Sequence, residues 1–445
     1  MMTTTPLVAL QRPKDISLDE IEAELSAIWH SQSADSPNQG ASRASTFSMV
    51  IYEPEEFQQL LAALGFYEGP IDGIHGPMTK AAVQDAQKSY GLSITGRVDP
   101  GTLAKLREEF AKKPSDRIKF TNPNIRGFSI SDAIAVQNPG RIITLCPILG
   151  ADQGVTAQVS AYCPVQQGSG GSLICCEYIT LRGTKAALER VGELVASLMI
   201  QDLPQFVWWK ATPNPDQALF KALAESCDCL ILDSCYFSDP ESEFLKIQEL
   251  IDDGTYIADL NWHRLQPWQE LMAAAFDPPE RRASLIEADQ LAIDYEKGNA
   301  AQALLYLGWI ASRLDWQPVA FHETGGDYDL KHVTFKGANQ REITAELAAI
   351  PTADWGEILG DLVGIRITST NLQANCCTIL CSETTGCMRM EAGGSAQACQ
   401  TEVVSSLSDQ KAEFLLSQQL QRWGHDVLYE ESLAVVAKVL KLHGQ

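Results

Sequence analysis

No run of apolar residues in this 445-residue chain approaches the roughly 20 that a membrane-crossing helix needs. Positive charge is scarce: 34 Lys and Arg stand against 57 Asp and Glu, a net charge of −23. Phosphate backbones and anionic lipid surfaces need a basic face, so neither nucleic acid nor a membrane is an expected partner. Histidine is sparse, at seven, and none lies in a His-x-x-x-His or His-Glu-x-x-His setting. No metal is therefore expected, and no nucleophile, base and oxyanion donor assemble into a catalytic set. Leu7 to Leu10 is far shorter than a signal-peptide core and has no basic region before it. The expectation is a cytoplasmic protein whose thiols start reduced.

What is present is ordinary for a protein with a real core: 45% hydrophobic and 20% charged residues. The length allows about two to four domains. Ser17 with Glu20 forms a capping box ahead of a helix carrying Leu18, Ile21, Leu25 and Ile28. Ser31 to Ser45 is small, polar and linker-like. Phe57, Leu60, Leu61 and Leu64 then mark a helix closed by Gly65, and Met78 to Tyr90 a second closed by Gly91. Asp99-Pro100 announces a third. Beyond the Ala111 to Asp116 hinge, β-branched runs alternate with helices: Arg141 to Leu145, Val155 to Tyr162, Ser172 to Leu181, Gln205 to Lys210 and Cys229 to Asp233. Pro240 to Trp316 reads as mostly helical. Strands return at Val333 to Phe335, Leu362 to Thr370, Gln373 to Cys381 and Gly386 to Met390, and a helix pair closes the chain.

The expected fold is an α/β main body, a mixed sheet with helices, preceded by a small all-α module of three helices. Expected boundaries are 1–46 for the first helix and linker, 47–112 for the module, 118–240 for an α/β part, and 241–445 for a helical, strand-bearing part with a cysteine cluster.

Twelve cysteines are unevenly placed, with none before Cys146 and five between Cys376 and Cys399. Cys175, Cys176, Cys227, Cys229 and Cys235 lie in or beside apolar strands, where thiols pack as small hydrophobes. Cys381 and Cys387 flank a polar turn between two strand-like runs, and a disulfide across such a turn is of the reducible kind. Cys399 is the competing partner. Gly168 to Gly171 is a weak phosphate loop and reads better as a hairpin tip. His322, Glu323, Asp327, Asp329 and His332 are metal-capable types without fixed spacing, and read as surface. Asp259 to Arg282 concentrates Trp262, Trp268, Arg264, Arg281 and Arg282. Such residues serve either as interface anchors or as core, and Trp208 and Trp209 join them as interface candidates.

Leu60 to Leu106, LLAALGFYEGPIDGIHGPMTKAAVQDAQKSYGLSITGRVDPGTLAKL, resembles the peptidoglycan-binding-like domain. In that family Asp72-Gly73 and Gly76-Pro77 form the turn that positions the second helix. Ala86 stands where the family usually carries an aromatic, which favours a docking module over a wall binder. ISDAIAVQNPGRIITLCP (Ile130 to Pro147), DLPQFVWWKATP (Asp202 to Pro213) and DLNWHRLQPWQELMAAAFDPP (Asp259 to Pro279) resemble the OpcA family of glucose-6-phosphate dehydrogenase assembly proteins in its cyanobacterial form. The resemblance implies a non-enzymatic activator that binds glucose-6-phosphate dehydrogenase and carries no cofactor itself, with NADP on the partner. It also implies thioredoxin as a second partner, acting at Cys381 and Cys387. The alternatives are a sugar-phosphate-binding α/β protein with its own activity, or a cell-wall binder.

Overall fold

The computed structural model describes residues 7–35, 41–43, 45–53, 56–67, 77–112, 139–148, 152–164, 173–237, 239–337, 340–351, 358, 360–371, 374–382, 387–394, 400–406, 412–422 and 424–443. The chain divides into two compact units, residues 1–232 with 416–422, and residues 233–415 with 423–445. The division after 232 falls earlier than the expected boundary at 240, because Asp233 is bound into the polar core of the second unit. No helix among the described residues is long and apolar enough to cross a membrane.

In the first unit the chain runs β1 (Leu7–Ile16), α1 (Ile21–Asp35), β2 (Ala41–Arg43), β3 (Ser48–Tyr52), α2 (Glu56–Leu64), α3 (Pro77–Ser89) and α4 (Pro100–Ala111). It continues through β4 (Arg141–Pro147), β5 (Thr156–Pro164), β6 (Leu173–Gly183), α5 (Lys185–Glu189), α6 (Gly192–Leu198), β7 (Gln205–Trp209), α7 (Ala218–Ser226) and β8 (Cys229–Leu232). The sheet order is β1-β5-β6-β4-β3-β7-β8. Strands β6, β4, β3, β7 and β8 are mutually parallel. Parallel strands are covered on both faces, which is why β3 (SMVIY) is buried at every position.

The expected N-terminal helix is α1, and the residues before it add strand β1, which pairs antiparallel with β5. Strand β3, inside the span expected for the helical module, lies instead at the centre of the parallel set. A buried ion pair also holds α1 on the sheet. Arg141 donates to Glu177 at 2.8 Å and to Glu22 at 2.5 Å, while the Trp29 indole donates to Glu177 at 2.6 Å.

Helices α2, α3 and α4 form the expected module around Leu60, Leu61, Val83, Ala86 and Leu106. Gly65 and Gly91 end their helices at φ +88° and +69°, which side chains with a Cβ adopt at a cost. Asp99 caps α4, accepting from the Thr102 amide at 2.7 Å. Asp72, Gly73 and Gly76 lie outside the described residues. Gln87 belongs to no recognisable sequence motif, yet it ties the module together. Its amide donates to Thr95, Arg97 and Thr102 and accepts from the Thr95 and Gly96 amides.

The second unit contains α8 (Pro240–Asp252), β9 (Ile257–Asp259), α9 (Leu260–Arg264), α10 (Gln266–Phe276), α11 (Pro279–Arg282), β10 (Gln290–Glu296) and α12 (Ala301–Arg313). There follow β11 (Gln317–Gly325), β12 (Leu330–Lys336), β13 (Glu342–Ile350), β14 (Leu362–Thr368), β15 (Asn375–Ser382), β16 (Cys387–Gly394), β17 (Gln400–Ser406) and α14 (Val427–Leu440), while the division at 416 falls within α13 (Ala412–Gln419). Its sheet has the order β11-β12-β13-β10-β14-β15-β16-β17. Only β10 with β13 is parallel among these pairs. Helices α10, α12 and α14 pack against one face, and the residues on that face, such as Ile293, Leu347 and Ile365, are buried. The mixed α/β body with a helical module is as expected. Strand β10 corrects the helical reading of Pro240 to Trp316, and β11, β13 and β17 are further strands.

Candidate functional site

Numbering the parallel strands of the first unit by chain order, their spatial order is 3-2-1-4-5, the doubly wound arrangement. Ligands of such sheets sit where the order reverses, outside the carboxyl ends of the first and fourth strands, here β3 and β7. A dinucleotide needs glycines after the first strand, so that the backbone can approach the pyrophosphate. This chain places Glu53-Pro54-Glu55 there. Glu53 is buried and ion-paired with Lys210, the residue following β7. Beside them the Tyr52 and Trp209 rings stack at 3.8 Å between centroids, and Lys210 lies 4.8 Å from the Trp208 ring. A carboxylate stands where a phosphate would need donors, so the described residues there do not fit a dinucleotide.

The aromatic and basic stretch of the second unit is core. Trp262, Arg264 and Trp268 are buried, as are Trp208 and Trp209 in the first unit. Side chains buried to this degree offer little contact area to a partner, and these five serve the core. Arg281 is half-buried and Arg282 exposed; Arg282 donates to the Asp277 carbonyl at 2.9 Å.

What the stretch builds is a buried polar hub. Arg264 grips Asp233 through two hydrogen bonds, 2.6 and 2.9 Å. Burial works against the guanidinium charge, and the Asp233 carboxylate outweighs it, raising the Arg264 pKa well above its ordinary value. Asp259 accepts from the Ser234 and Asn261 amides at 3.0 and 2.9 Å through one oxygen. Its other oxygen and the Tyr429 hydroxyl are buried without a hydrogen-bond partner among the described residues. Burial first, and the Asp233 charge second, push the Asp259 carboxyl up to about 6. Gln302 joins Asn261 at 3.0 Å to Asp361 at 2.7 Å, and the Trp262 indole donates to Asp426 at 3.0 Å. Asp233 follows β8, Asn261 lies in α9 and Gln302 in α12, so sequence spacing gives no signal for this set.

Among the metal-capable residues, Glu323 meets Glu241 at Lys331, whose ammonium pairs with both carboxylates. The His443 ring nitrogens lie 3.7 Å from each carboxylate. Three such groups could hold a cation, but a lysine already supplies the positive charge. His332 lies 3.6 Å from Glu346.

The cysteines separate by environment. Cys176, Cys229 and Cys235 are buried, with Cys227 partly exposed. Burial pushes the Cys176 thiol up to about 11 and that of Cys227 to about 12, so both are inert at neutral pH. Cys175 departs from the packing expectation: it is disulfide-bonded. In the β15–β16 ladder Cys381 opposes Met388 and Ser382 opposes Cys387. The two cysteines are therefore one position out of register rather than directly opposed. Cys399 lies outside the described residues.

Residues 131–249 match the family described as "Glucose-6-phosphate dehydrogenase subunit N-terminal domain", and residues 255–433 its C-terminal domain. Residues 53–106 match "Putative peptidoglycan binding domain". A protein of Synechococcus elongatus named "Putative OxPP cycle protein OpcA" is 58% identical over 99% of both chains. One of the same name from Nostoc punctiforme is 55% identical, over 99% of this chain and 97% of its own. Among solved structures, an aldose-aldose oxidoreductase of Caulobacter crescentus aligns at TM-score 0.36 and 11% identity, over 59% of this chain and 81% of that one. Nothing about this chain follows from so weak a likeness. The identity along nearly the whole length, with both domain matches, means that the chain belongs to the OpcA family, whose domains are described as those of a glucose-6-phosphate dehydrogenase subunit.

Proposed function

We propose that this chain is a non-catalytic partner of glucose-6-phosphate dehydrogenase. It binds the enzyme, favours its active oligomer and raises its apparent affinity for glucose 6-phosphate in the oxidative pentose phosphate pathway. The observation that carries the reading is the match of residues 131–249 and 255–433 to two domains of a dehydrogenase subunit. The end of the sheet at β3 and β7 supports it, since Glu53, paired with Lys210, sets a carboxylate where a dinucleotide's phosphates would need donors. NADP then belongs to the enzyme and the chain acts in the cytoplasm. An activator needs only a surface that favours one enzyme state, and about 5.5 kcal/mol of differential affinity turns 1:99 into 99:1. Arg281 and Arg282 remain contact candidates.

Thiol control by thioredoxin is part of the same reading. Cross-strand partners share a face and their neighbours do not, so joining Cys381 to Cys387 requires a one-residue slip of β15 against β16. The disulfide at Cys175 is the competing redox centre. A tagged chain is expected to retain the dehydrogenase from extract and to lower its apparent KM for glucose 6-phosphate. If no dehydrogenase is retained and its kinetics are unchanged on mixing, the reading fails. Comparing Cys381→Ser with Cys175→Ser, each with and without reduced thioredoxin, identifies which loss makes activation insensitive to reductant.

A further inference from the structure

The second unit's sheet buries alternate residues under its helices and turns the others to solvent. On the solvent side, the register aligns Glu346 of β13, Ala292 of β10 and Arg366 of β14 in one row across the strands. Glu346 and Arg366 are exposed and Ala292 is partly so. The next row along the strands, Thr344, Gln290 and Thr368, is neutral. Strands of one sheet are spaced about 4.8 Å apart, so Glu346 and Arg366, two strands apart, stand about 10 Å from each other. That is beyond an ion pair within one copy.

We propose that this face docks a second copy of the same chain, about a two-fold axis running along β10. Two sheets stacked face to face lie about 10 Å apart with strands nearly aligned. A two-fold axis along β10 reflects the row onto itself, so that Glu346 meets the partner's Arg366, Arg366 meets the partner's Glu346, and Ala292 lies at the centre. An axis across the strands, passing through this row, instead sets each residue of the row opposite itself, glutamate on glutamate and arginine on arginine. Charge complementarity thus selects one of the two symmetric arrangements. Asp294, also on β10, comes near its own copy in the chosen arrangement, with the positive charge of Arg366 on the neighbouring strand acting on it. Six strands by seven residues offer a planar area of roughly 650 Å² per copy, before side-chain relief is counted, against about 800 Å² in a standard interface.

Sedimentation velocity on the purified full chain, from nanomolar to high-micromolar concentration, tests this. The wild-type chain is expected to dimerise. Arg366→Glu and Glu346→Arg should each raise the dissociation constant by about tenfold or more, and the double variant should restore it, since the pair is then reversed but still complementary. Having two single variants keeps the test open if one misfolds. A wild-type chain that stays a single copy throughout overturns the proposal. So does an Arg366→Glu dimer as tight as wild type, or a double variant as weak as either single one. A chain that is single by itself but loses dehydrogenase binding on Arg366→Glu also overturns it, because that face then serves the enzyme.

Discussion

Arg264 and Asp233 are both buried, and a buried pair is felt mostly when it is broken. Arg264→Met leaves the Asp233 carboxylate without its counter-charge and is expected to cost about 3–5 kcal/mol in urea unfolding. Truncating the exposed Arg282 should cost almost nothing. Asp259 makes a prediction of opposite pH sense to most carboxylates. Its pKa rises on folding from 3.8 to about 6, so the folded state binds that proton more tightly. The stabilisation is whole below the unfolded pKa and is lost as pH rises through about 6. Between pH 4 and 7 the wild-type chain should lose on the order of 3 kcal/mol relative to Asp259→Asn, read as the difference between their urea midpoints. None of these partners could be paired from the sequence. Arg264 was visible as a cation among aromatics, but its burial depends on Asp233, 31 residues away.

At the scale of elements, helices α12 and α14 approach closely at Gly308. A Cβ there would lie 2.3 Å from the Ser432 carbonyl oxygen. In an exposed helix Gly→Ala gains about 1 kcal/mol. Here Gly308→Ala is expected to destabilise by about 1–3 kcal/mol, because the carbonyl belongs to backbone and the helices must separate. A lowered thermal midpoint checks it. The module's helices were legible because their punctuation is local: Gly65, Gly91 and Asp99-Pro100 stop and start them whatever surrounds them. Strand β13, EITAELAAI, was not legible. Alanine, glutamate and leucine favour helix in isolation, and only pairing between β10 and β12 makes this segment extended. Strand β10 alternates at period two, but helical neighbours on both sides masked it.

At the scale of the molecule, the helical module occupies the connection between β3 and β4, two neighbouring parallel strands of the first unit. Its core is closed on itself. Excising residues 54–112 is expected to leave the cooperative unfolding of the remaining chain in place, since a shorter connection changes closure entropy little. Circular dichroism and urea unfolding check this. The same variant, assayed with the dehydrogenase, shows whether the module takes part in activation.

The sequence by itself determined the solubilising charge, the module with its caps, the α/β texture and the family resemblance, because composition, turn chemistry and contiguous segments are local properties. Tertiary structure alone decided three things. It placed β3 between β4 and β7 and so brought Glu53 against Lys210. It sank Trp262, Arg264 and Trp268 into the core. It set Cys381 against Met388 rather than Cys387. Each depends on which distant segment pairs with which, and strand register and burial are settled by the whole assembly of segments rather than by any one of them.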